Sequence, residues 1–293
     1  MLKNIIKNIL LFPLNICFSA FKLYDTTLSN IVPQLKGLGR QQLINHIDRD
    51  VKLIKHGSAS FKIYTPNRMC NYRHATFSIK EPEMLEWIEE YGGGVFFDIG
   101  ANIGIYSLFY AQIKEGNVYC FEPSVFNLRQ LAKNISINKL TERITIVSNP
   151  LTDKTGIAKF MNGSADEGGA LSAFGVEYGY DGRQITSEIN YSVLGFSLDD
   201  LLEKNMLKET PSLIKIDVDG IEHLILKGAT KTLESEKLKS LYIEVNDDFN
   251  EQAHQVKTIL ESAGFSLKEK RHSEIIDGSE KFGRTYNQIW IRT

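Results

Sequence analysis

Cysteine is scarce: Cys17, Cys70 and Cys120 are the only three in 293 residues, and no two form a Cys-x-x-Cys pair. An odd, scattered set builds neither a disulfide framework nor a zinc site, and it suits a reducing cytoplasmic compartment. The six histidines contain no His-x-x-x-His pair, so a histidine-based metal site has little support. Basic runs interleaved with aromatics are missing too, and the formal charge is −2. A nucleic-acid partner, normally met by concentrated positive surface, is thereby disfavoured. Nor is there an uninterrupted apolar stretch of the roughly 20 residues that cross a bilayer. The nearest approach is residues 9–21, preceded by Lys3 and Lys7 and broken by Pro13 and Asn15. Positive residues before an apolar run resemble a signal peptide, but the interruption and the lack of a small-residue cleavage site argue against one. Residues 1–22 fit a helix lying on a membrane surface, lysines at the headgroups, or an ordinary helix packed on a domain.

Hydrophobic residues at 42% and charged residues at 24% are ordinary for a folded chain. Residues 1–74 read as an N-terminal extension with little periodicity beyond the apolar start. Within it residues 61–64 alternate like a short strand, and Pro66-Asn67 reads as a turn. Pro82 suits a first helical turn, and Met84, Leu85, Trp87 and Ile88 form a helical stripe that Gly92-Gly-Gly94 ends. The remainder, 75–293, alternates. Strand-like runs cover 95–99, 117–121, 143–148, 212–218, 240–246, 265–270 and 286–292, with helical patterns over 103–114, 124–138, 221–234 and 251–263. Strands separated by helices predict an α/β, Rossmann-like seven-stranded sheet, mostly parallel with the last strand antiparallel and helices on both faces.

Residues 151–200 depart from that alternation. Two strand-like pieces, 155–160 and 191–196, flank a loop holding Gly163, Gly168, Gly169, Gly175, Gly179 and Gly182. Loops this long in a compact domain are often lids or binding loops, and a substrate loop is expected here. Ser197 then reads as a helix N-cap, with Asp200 at the capping-box position.

Ligands of open α/β sheets lie beyond the carboxyl ends of the strands. There the run Val-Phe-Phe-Asp98 ends in a turn with Gly100, Ala101, Asn102 and Gly104, where glycine lets backbone approach a ligand closely. Asn102 can offer its amide to the amino-acid end of a cofactor. Glu122, 18 residues beyond Gly104, can accept bonds from both ribose hydroxyls. Asp98 would repel a pyrophosphate but attract the sulfonium and ammonium of S-adenosylmethionine, so methyl transfer is expected rather than dinucleotide chemistry. The second cluster is Asp217-Val-Asp219-Gly-Ile-Glu222-His223. Carboxylates gathered at a strand end are costly unless paired, hydrated or used. Asp217 or Asp219 can take the proton of an acceptor hydroxyl, while Glu222 is either catalytic or a helix-dipole cap. Clustered acids also suit a divalent metal, which nothing in the sequence selects. His223 is expected on an exposed helix face.

These motifs resemble the FkbM family of S-adenosylmethionine-dependent methyltransferases. The resemblance covers about residues 75–292 and rests on Asp98-Ile-Gly-Ala-Asn-Ile-Gly-Ile-Tyr-Ser-Leu108, Phe121-Glu-Pro123, Asn127, Asn138, Ser197-Leu-Asp-Asp-Leu201, Ile214-Lys-Ile-Asp-Val-Asp-Gly-Ile-Glu222 and Leu226-Lys-Gly-Ala229. The segment Phe77-Ser-Ile-Lys-Glu-Pro-Glu83 looks like the family's lead-in helix, and Asp219 stands where the family usually has Glu. The resemblance implies O-methylation of a hydroxyl on a sugar or natural product, with a glycan or small molecule as acceptor. It implies cofactor contacts at Asp98, Gly100, Ala101, Asn102, Gly104, Glu122 and Pro123. It also suggests Ser107 near the methionine carboxylate and Ser124 and Asn149 near the ribose or adenine. The alternatives are a methyltransferase-like scaffold that binds cofactor without chemistry in polysaccharide assembly, and a nicotinamide-dependent oxidoreductase.

Overall fold

The computed structural model describes residues 2–272 and 283–293, with side chains from residue 10 onward. It divides into two compact units, residues 1–50 and 51–293. The first holds helix α1 (Leu2–Ile31), with Pro13 inside it, and helix α2 (Leu38–Ile47). Arg40 Nε pairs with Asp25 Oδ2 at 3.2 Å between them. Lys3 and Lys7, expected at headgroups, lie outside the described side chains. Leu10 and Phe12 on α1 are 73% and 64% exposed, and Leu14, Ile16 and Phe18 are exposed as well. No helix among the described residues is long and apolar enough to cross a membrane.

The second unit begins at Val51, earlier than the boundary expected at residue 75. An antiparallel hairpin, β1 (Val51–His56) and β2 (Ala59–Tyr64), packs against the core helices and so belongs to this unit. Asn134 fastens it: its Oδ1 accepts from the Tyr64 amide at 2.9 Å while its Nδ2 donates to the Ile103 carbonyl at 2.9 Å. Helix α3 (Arg68–Thr76) follows, capped by Asn67, whose side chain accepts from the Cys70 amide. Helix α4 (Pro82–Tyr91) starts with proline at its first position, as the sequence indicates.

From there β3 (Phe96–Ile99), α5 (Ile105–Ile113), β4 (Val118–Phe121), α6 (Val125–Ile137) and β5 (Ile144–Val147) alternate. An excursion, β6 (Gly156–Asn162), β7 (Ala173–Phe174) and β8 (Ile189–Gly195), forms a separate three-stranded antiparallel sheet. The core resumes with α7 (Leu198–Glu203), β9 (Leu213–Ile216), α8 (Glu222–Lys227), α9 (Thr230–Glu234), β10 (Ser240–Asn246), α10 (Asn250–Ser262), β11 (Phe265–Arg271) and β12 (Thr285–Arg292). The seven-stranded sheet has the order β11-β12-β10-β9-β3-β4-β5, and only β12 runs against the others. Both the α/β class and the antiparallel strand agree with the alternation of patterns.

The helix expected over 221–234 is two short ones. Gly228 caps the end of the first and Ala229 the start of the second, and a Cβ at 228 would sit 2.2 Å from the Thr152 carbonyl oxygen, which keeps that position glycine. Ser197 caps α7 by accepting from the Asp200 amide at 3.2 Å. The Asp200 carboxylate instead accepts from the Thr155 hydroxyl, which also takes the Ser197 amide at 3.3 Å, so threonine completes the reciprocal half of the cap.

Strand alternation sorts the core into two layers. Phe96 faces the layer of α4, α5 and the hairpin, while Phe97 and Ile99 face that of α7, α8 and α10. The same parity puts Asp98 on the α5 side and Lys215, its partner in the β3–β9 register, beside it.

Candidate active site

A cleft opens at the carboxyl ends of β3, β4 and β9, with about 1070 Å³ of space including its mouth. It lies at the edge of the sheet where α/β proteins bind ligands. Its floor is the turn after β3. Gly100 has φ +81°, and a Cβ there would lie 1.9 Å from the Asp217 carbonyl oxygen, so no other residue fits without moving β9. Asn102, also in the left-handed region at φ 53°, donates from Nδ2 to the Gly169 carbonyl at 2.6 Å.

Glu122 organises that turn from the next strand. Its two oxygens accept from the Asn102 amide at 2.7 Å and the Ser124 amide at 2.8 Å, and the side chain lines the cleft. Gly100, Ala101, Pro123 and Asn149 line it too, although the Asn149 amide donates to the Leu194 carbonyl at 2.8 Å. Gly104 instead caps α5 at φ 83°, where a Cβ would strike Leu131, and Ser124 caps α6; neither lines the cleft.

Asp98 and Ser107 are placed differently from expectation. Asp98 is 0% exposed and lies behind the cleft wall, where Lys215 Nζ approaches its Oδ1 at 3.2 Å and the Ser107 hydroxyl donates to its Oδ2 at 2.6 Å. Cys120 donates in turn to Ser107 at 2.9 Å. The cause is strand parity: Cys120, Asp98 and Lys215 sit side by side in register on one face, under α5. Lys215 is 2% exposed. Burial pulls its ammonium down, but Asp98 and Asp217 outweigh that and hold it above its usual value.

The β9 acids divide their work. Asp217 lines the cleft with 29% of its side chain exposed, 3.7 Å from Lys215. Asp219, in the left-handed region at φ 63°, clamps the glycine-rich loop by accepting from the Leu171 amide at 2.7 Å and the Ser172 amide at 3.1 Å. Glu222 does not line the cleft. It is buried at the start of α8 and accepts from the Val218 amide at 3.1 Å, the Gly220 amide at 3.2 Å and the Gln252 side chain, which makes it a clamp on the Asp217–Glu222 turn. His223 is buried, edge-on to Phe249 at 6.1 Å, not exposed as expected. The glycine-rich loop does reach the cleft: Asn127 accepts from the Gly168 amide at 2.9 Å, and Arg73 Nε donates to the Gly168 carbonyl at 2.8 Å. Among the described residues no group of three or more His, Cys, Asp or Glu is arranged to hold a metal ion.

Several cleft residues went unread in the sequence. Arg73, Thr76, Phe77 and Lys80 form one i, i+3, i+4, i+7 stripe along α3 and the turn after it, and with Glu81 and Tyr106 they build the wall facing β9. The readable signal was Lys80-Glu81 directly before a helix-starting proline, and a lone lysine inside the apolar β9 run.

Two outcomes follow for the ligand-free chain. Lys215→Met leaves the buried Asp98 carboxylate without its cation and should cost about 3–5 kcal/mol in urea unfolding, with much of the loss regained in Asp98→Asn/Lys215→Met. Equal stability of single and double variants would refute the pairing. Burial pushes Glu122 up to about 7 and Glu222 up to about 8, and burial followed by the Asp217 charge raises Asp219 to about 6. Folded-state values above the unfolded ones mean that the folded chain holds more protons, so stability is lost as pH rises through that window. Burial of His223 pulls its value down from 6.5 and opposes this on the acid side. The melting temperature should therefore fall between about pH 6.5 and about pH 8.5; a rise over that interval would contradict the assignment.

Residues 98–267, more than half of the 293-residue chain, match the family model of the methyltransferase FkbM domain. The hexuronic acid methyltransferase AglP of Haloferax volcanii is 27% identical over 152 residues, covering 52% of this chain and 56% of AglP. The chain thus spans little more than half the length of that relative. The 31-O-demethyl-FK506 methyltransferase FkbM of Streptomyces tacrolimicus is 26% identical over 198 residues, 60% of this chain and 74% of that protein. A solved FkbM methyltransferase from Methylobacillus flagellatus superposes with a TM-score of 0.44 at 18% identity, covering 67% of this chain and 42% of that one. The extent of the family match, from Asp98 within β3 through Glu122 and the Asp217–Glu222 turn, decides the membership: this chain belongs to the FkbM methyltransferase domain family.

Proposed function

We propose that this chain transfers a methyl group from S-adenosylmethionine to a hydroxyl of a sugar, in a glycan or a glycosylated metabolite. The observation that carries the reading is Glu122: a carboxylate fixed at the end of β4 by two backbone amides, beside a turn where Gly100 tolerates no Cβ. That arrangement suits the two hydroxyls of a nucleoside ribose. Apolar side chains of Ile99, Phe121 and Leu151 in the same cleft suit its base. The acids Glu81, Asp217 and Asp219 give the remaining walls the sign that a sulfonium compound requires. When bound, the donor supplies an electrophilic methyl. The chain itself has to hold the acceptor in line and receive one proton.

Asp217 is the residue for that proton. Its carboxylate is partly exposed within the cleft, whereas Glu222 is committed to the β9 turn and Asp219 holds the glycine-rich loop. The glycine-rich loop, fastened to Asp219, Asn127 and Arg73, forms the acceptor-facing side. Support for a hydroxyl acceptor comes from the relative named for a 31-O-demethyl compound, and support for a sugar from the one named for a hexuronic acid.

The test is calorimetric titration with S-adenosylmethionine and S-adenosylhomocysteine, followed by methyl incorporation into a panel of sugars and uronic acids. Micromolar binding by the parent chain and its loss by about ten-fold or more in Glu122→Ala are expected, since an acceptor of hydrogen bonds is removed. Asp217→Asn should retain S-adenosylhomocysteine binding and lose transfer by about 10²–10⁴-fold. A folded chain that binds neither ligand would end this reading.

Helix α1 lies on the surface of an anionic bilayer in the same proposal. Its exposed Leu10, Phe12, Leu14, Ile16 and Phe18 offer the apolar contact, and no acid precedes Asp25 in the sequence. Vesicles containing phosphatidylserine should retain the full chain and release a variant lacking residues 2–31. Equal partition of both would remove this placement, and retention replaced by concentration-dependent self-association would assign the helix to a second copy.

A further inference from the structure

Glu81 occupies the N-cap position of α4, a place where an acidic side chain ordinarily bonds the helix amides, yet it makes no such bond. It is instead turned inward. It is 3% exposed and lines the cleft, with the Tyr106 hydroxyl donating to its Oε2 at 2.5 Å and the Lys80 ammonium on its Oε1. Burying a carboxylate this deeply costs several kcal/mol unless it is paired. Here the pairing holds the charge rather than quenching it: burial alone would raise Glu81, but Lys80 and then Tyr106 keep it below the usual carboxylate range. Each carboxylate oxygen has a second acceptor site left over.

Its position relative to Glu122 is what matters. Glu122 stands at the end of β4, on one side of the Gly100 turn. Lys215, whose charge acts on Glu81, stands on β9, with its Nζ 6.0 Å from the ring centroid of Tyr106, the α5 residue that bonds Glu81. A ligand whose ribose rests on Glu122 and which crosses over the glycine turn therefore delivers its other end to Glu81. The acid expected to meet that end from the sequence, Asp98, is buried behind the wall and neutralised by Lys215.

Resting on the cofactor reading given above, we propose that Glu81 is the seat of the α-ammonium of the donor's amino-acid end, with Lys80 beside it facing the α-carboxylate. The two adjacent side chains present opposite charges at neighbouring points of one wall, as a zwitterion requires. Both lie ahead of residues 98–267, so the family-matched segment does not by itself complete the donor site. Tyr106 is a positioning residue, acting through Glu81.

The proposal is tested by titrating the full chain with S-adenosylhomocysteine, with its deaminated analogue, and with 5′-methylthioadenosine, which keeps the nucleoside but has no amino-acid end. Glu81→Gln should weaken S-adenosylhomocysteine by about ten-fold or more, the scale of one charge-assisted hydrogen bond, and leave methylthioadenosine within about two-fold. Parent chain with the deaminated analogue should show the same loss, and the analogue should bind parent and Glu81→Gln alike. That last comparison needs only soluble parent protein for its first arm, so a poorly folded variant does not remove the test. Equal weakening of all three ligands in Glu81→Gln would assign Glu81 a purely structural role, and undiminished binding of the deaminated analogue by the parent chain would overturn the seat. Failure of the parent chain to bind any of the three would instead overturn the cofactor reading itself, and the seat with it.

Discussion

The ion pair between Asp98 and Lys215 is the constraint on which the site depends. It is a cross-strand pair in the β3–β9 register, both side chains essentially dry, and in the low dielectric of the interior neither charge is tolerable alone. Lys215 also donates to the Gly100 carbonyl at 3.0 Å, so one ammonium ties the end of β3, the glycine turn and the start of the β9 turn together. The close approach of Gly100 to the Asp217 carbonyl follows from that tie. Remove the lysine and the same carboxylate that shapes the turn becomes an uncompensated buried charge. The pair is thus less a source of net stability than a fixture of geometry: it settles which strand ends meet and which acids are left to face the cleft.

What remains on the surface of the cleft is set by backbone amides. Four acids at neighbouring strand ends have the same functional group and four different employments. Glu122 receives two amides and shapes the glycine turn; Glu222 receives two amides and a glutamine and locks the β9 turn. Asp219 receives two amides from the glycine-rich loop, and Asp217 keeps a partly exposed carboxylate. Converging amides fix a carboxylate in place, and whether it also faces the cleft, as Glu122 does and Glu222 does not, is set by where the turn puts it. Chemistry is therefore decided by turn geometry at a resolution of one or two residues.

That resolution explains what the sequence disclosed and what it withheld. Alternation of apolar runs placed the seven strands of the main sheet to within a residue or two, because burial on both sheet faces forces continuous hydrophobic strands, but it missed β7 and the split of 221–234 into two helices. Glu122 and the glycine turn were readable since strand ends point to the ligand edge. Asp98 was misjudged for a reason of parity: a side chain on a central strand faces one of two layers, and only the crossover helices say which of them closes over it. Glu222 and His223 were hidden by the break at Gly228 and by Gln252 and Phe249, which approach from 30 and 26 residues away in sequence. The stripe Arg73, Thr76, Phe77 and Lys80 was invisible as a site feature, since a nine-residue polar helix has no apolar periodicity to announce which face is covered.

The wall built by that stripe has consequences for how the fold divides labour. The glycine turn and the ends of β4 and β9 that form one wall of the cleft lie inside residues 98–267. The opposite wall is made by the hairpin-anchored α3, the start of α4 and the loop at residues 163–175, none of which is needed to form the sheet. Charges of both signs line the cleft, Lys80 paired with Glu81 on that wall and Lys215 near Asp217 on the other, so a chain with a net charge of only −2 still lines it with fixed charge. A ligand carrying both signs is oriented by such a field, and a neutral one is not. The two walls are nonetheless coupled through the turn: Asn134 ties the hairpin to the Ile103 carbonyl and Asn102 ties the loop at Gly169, so a change in either element reaches the cleft through the residues that follow β3.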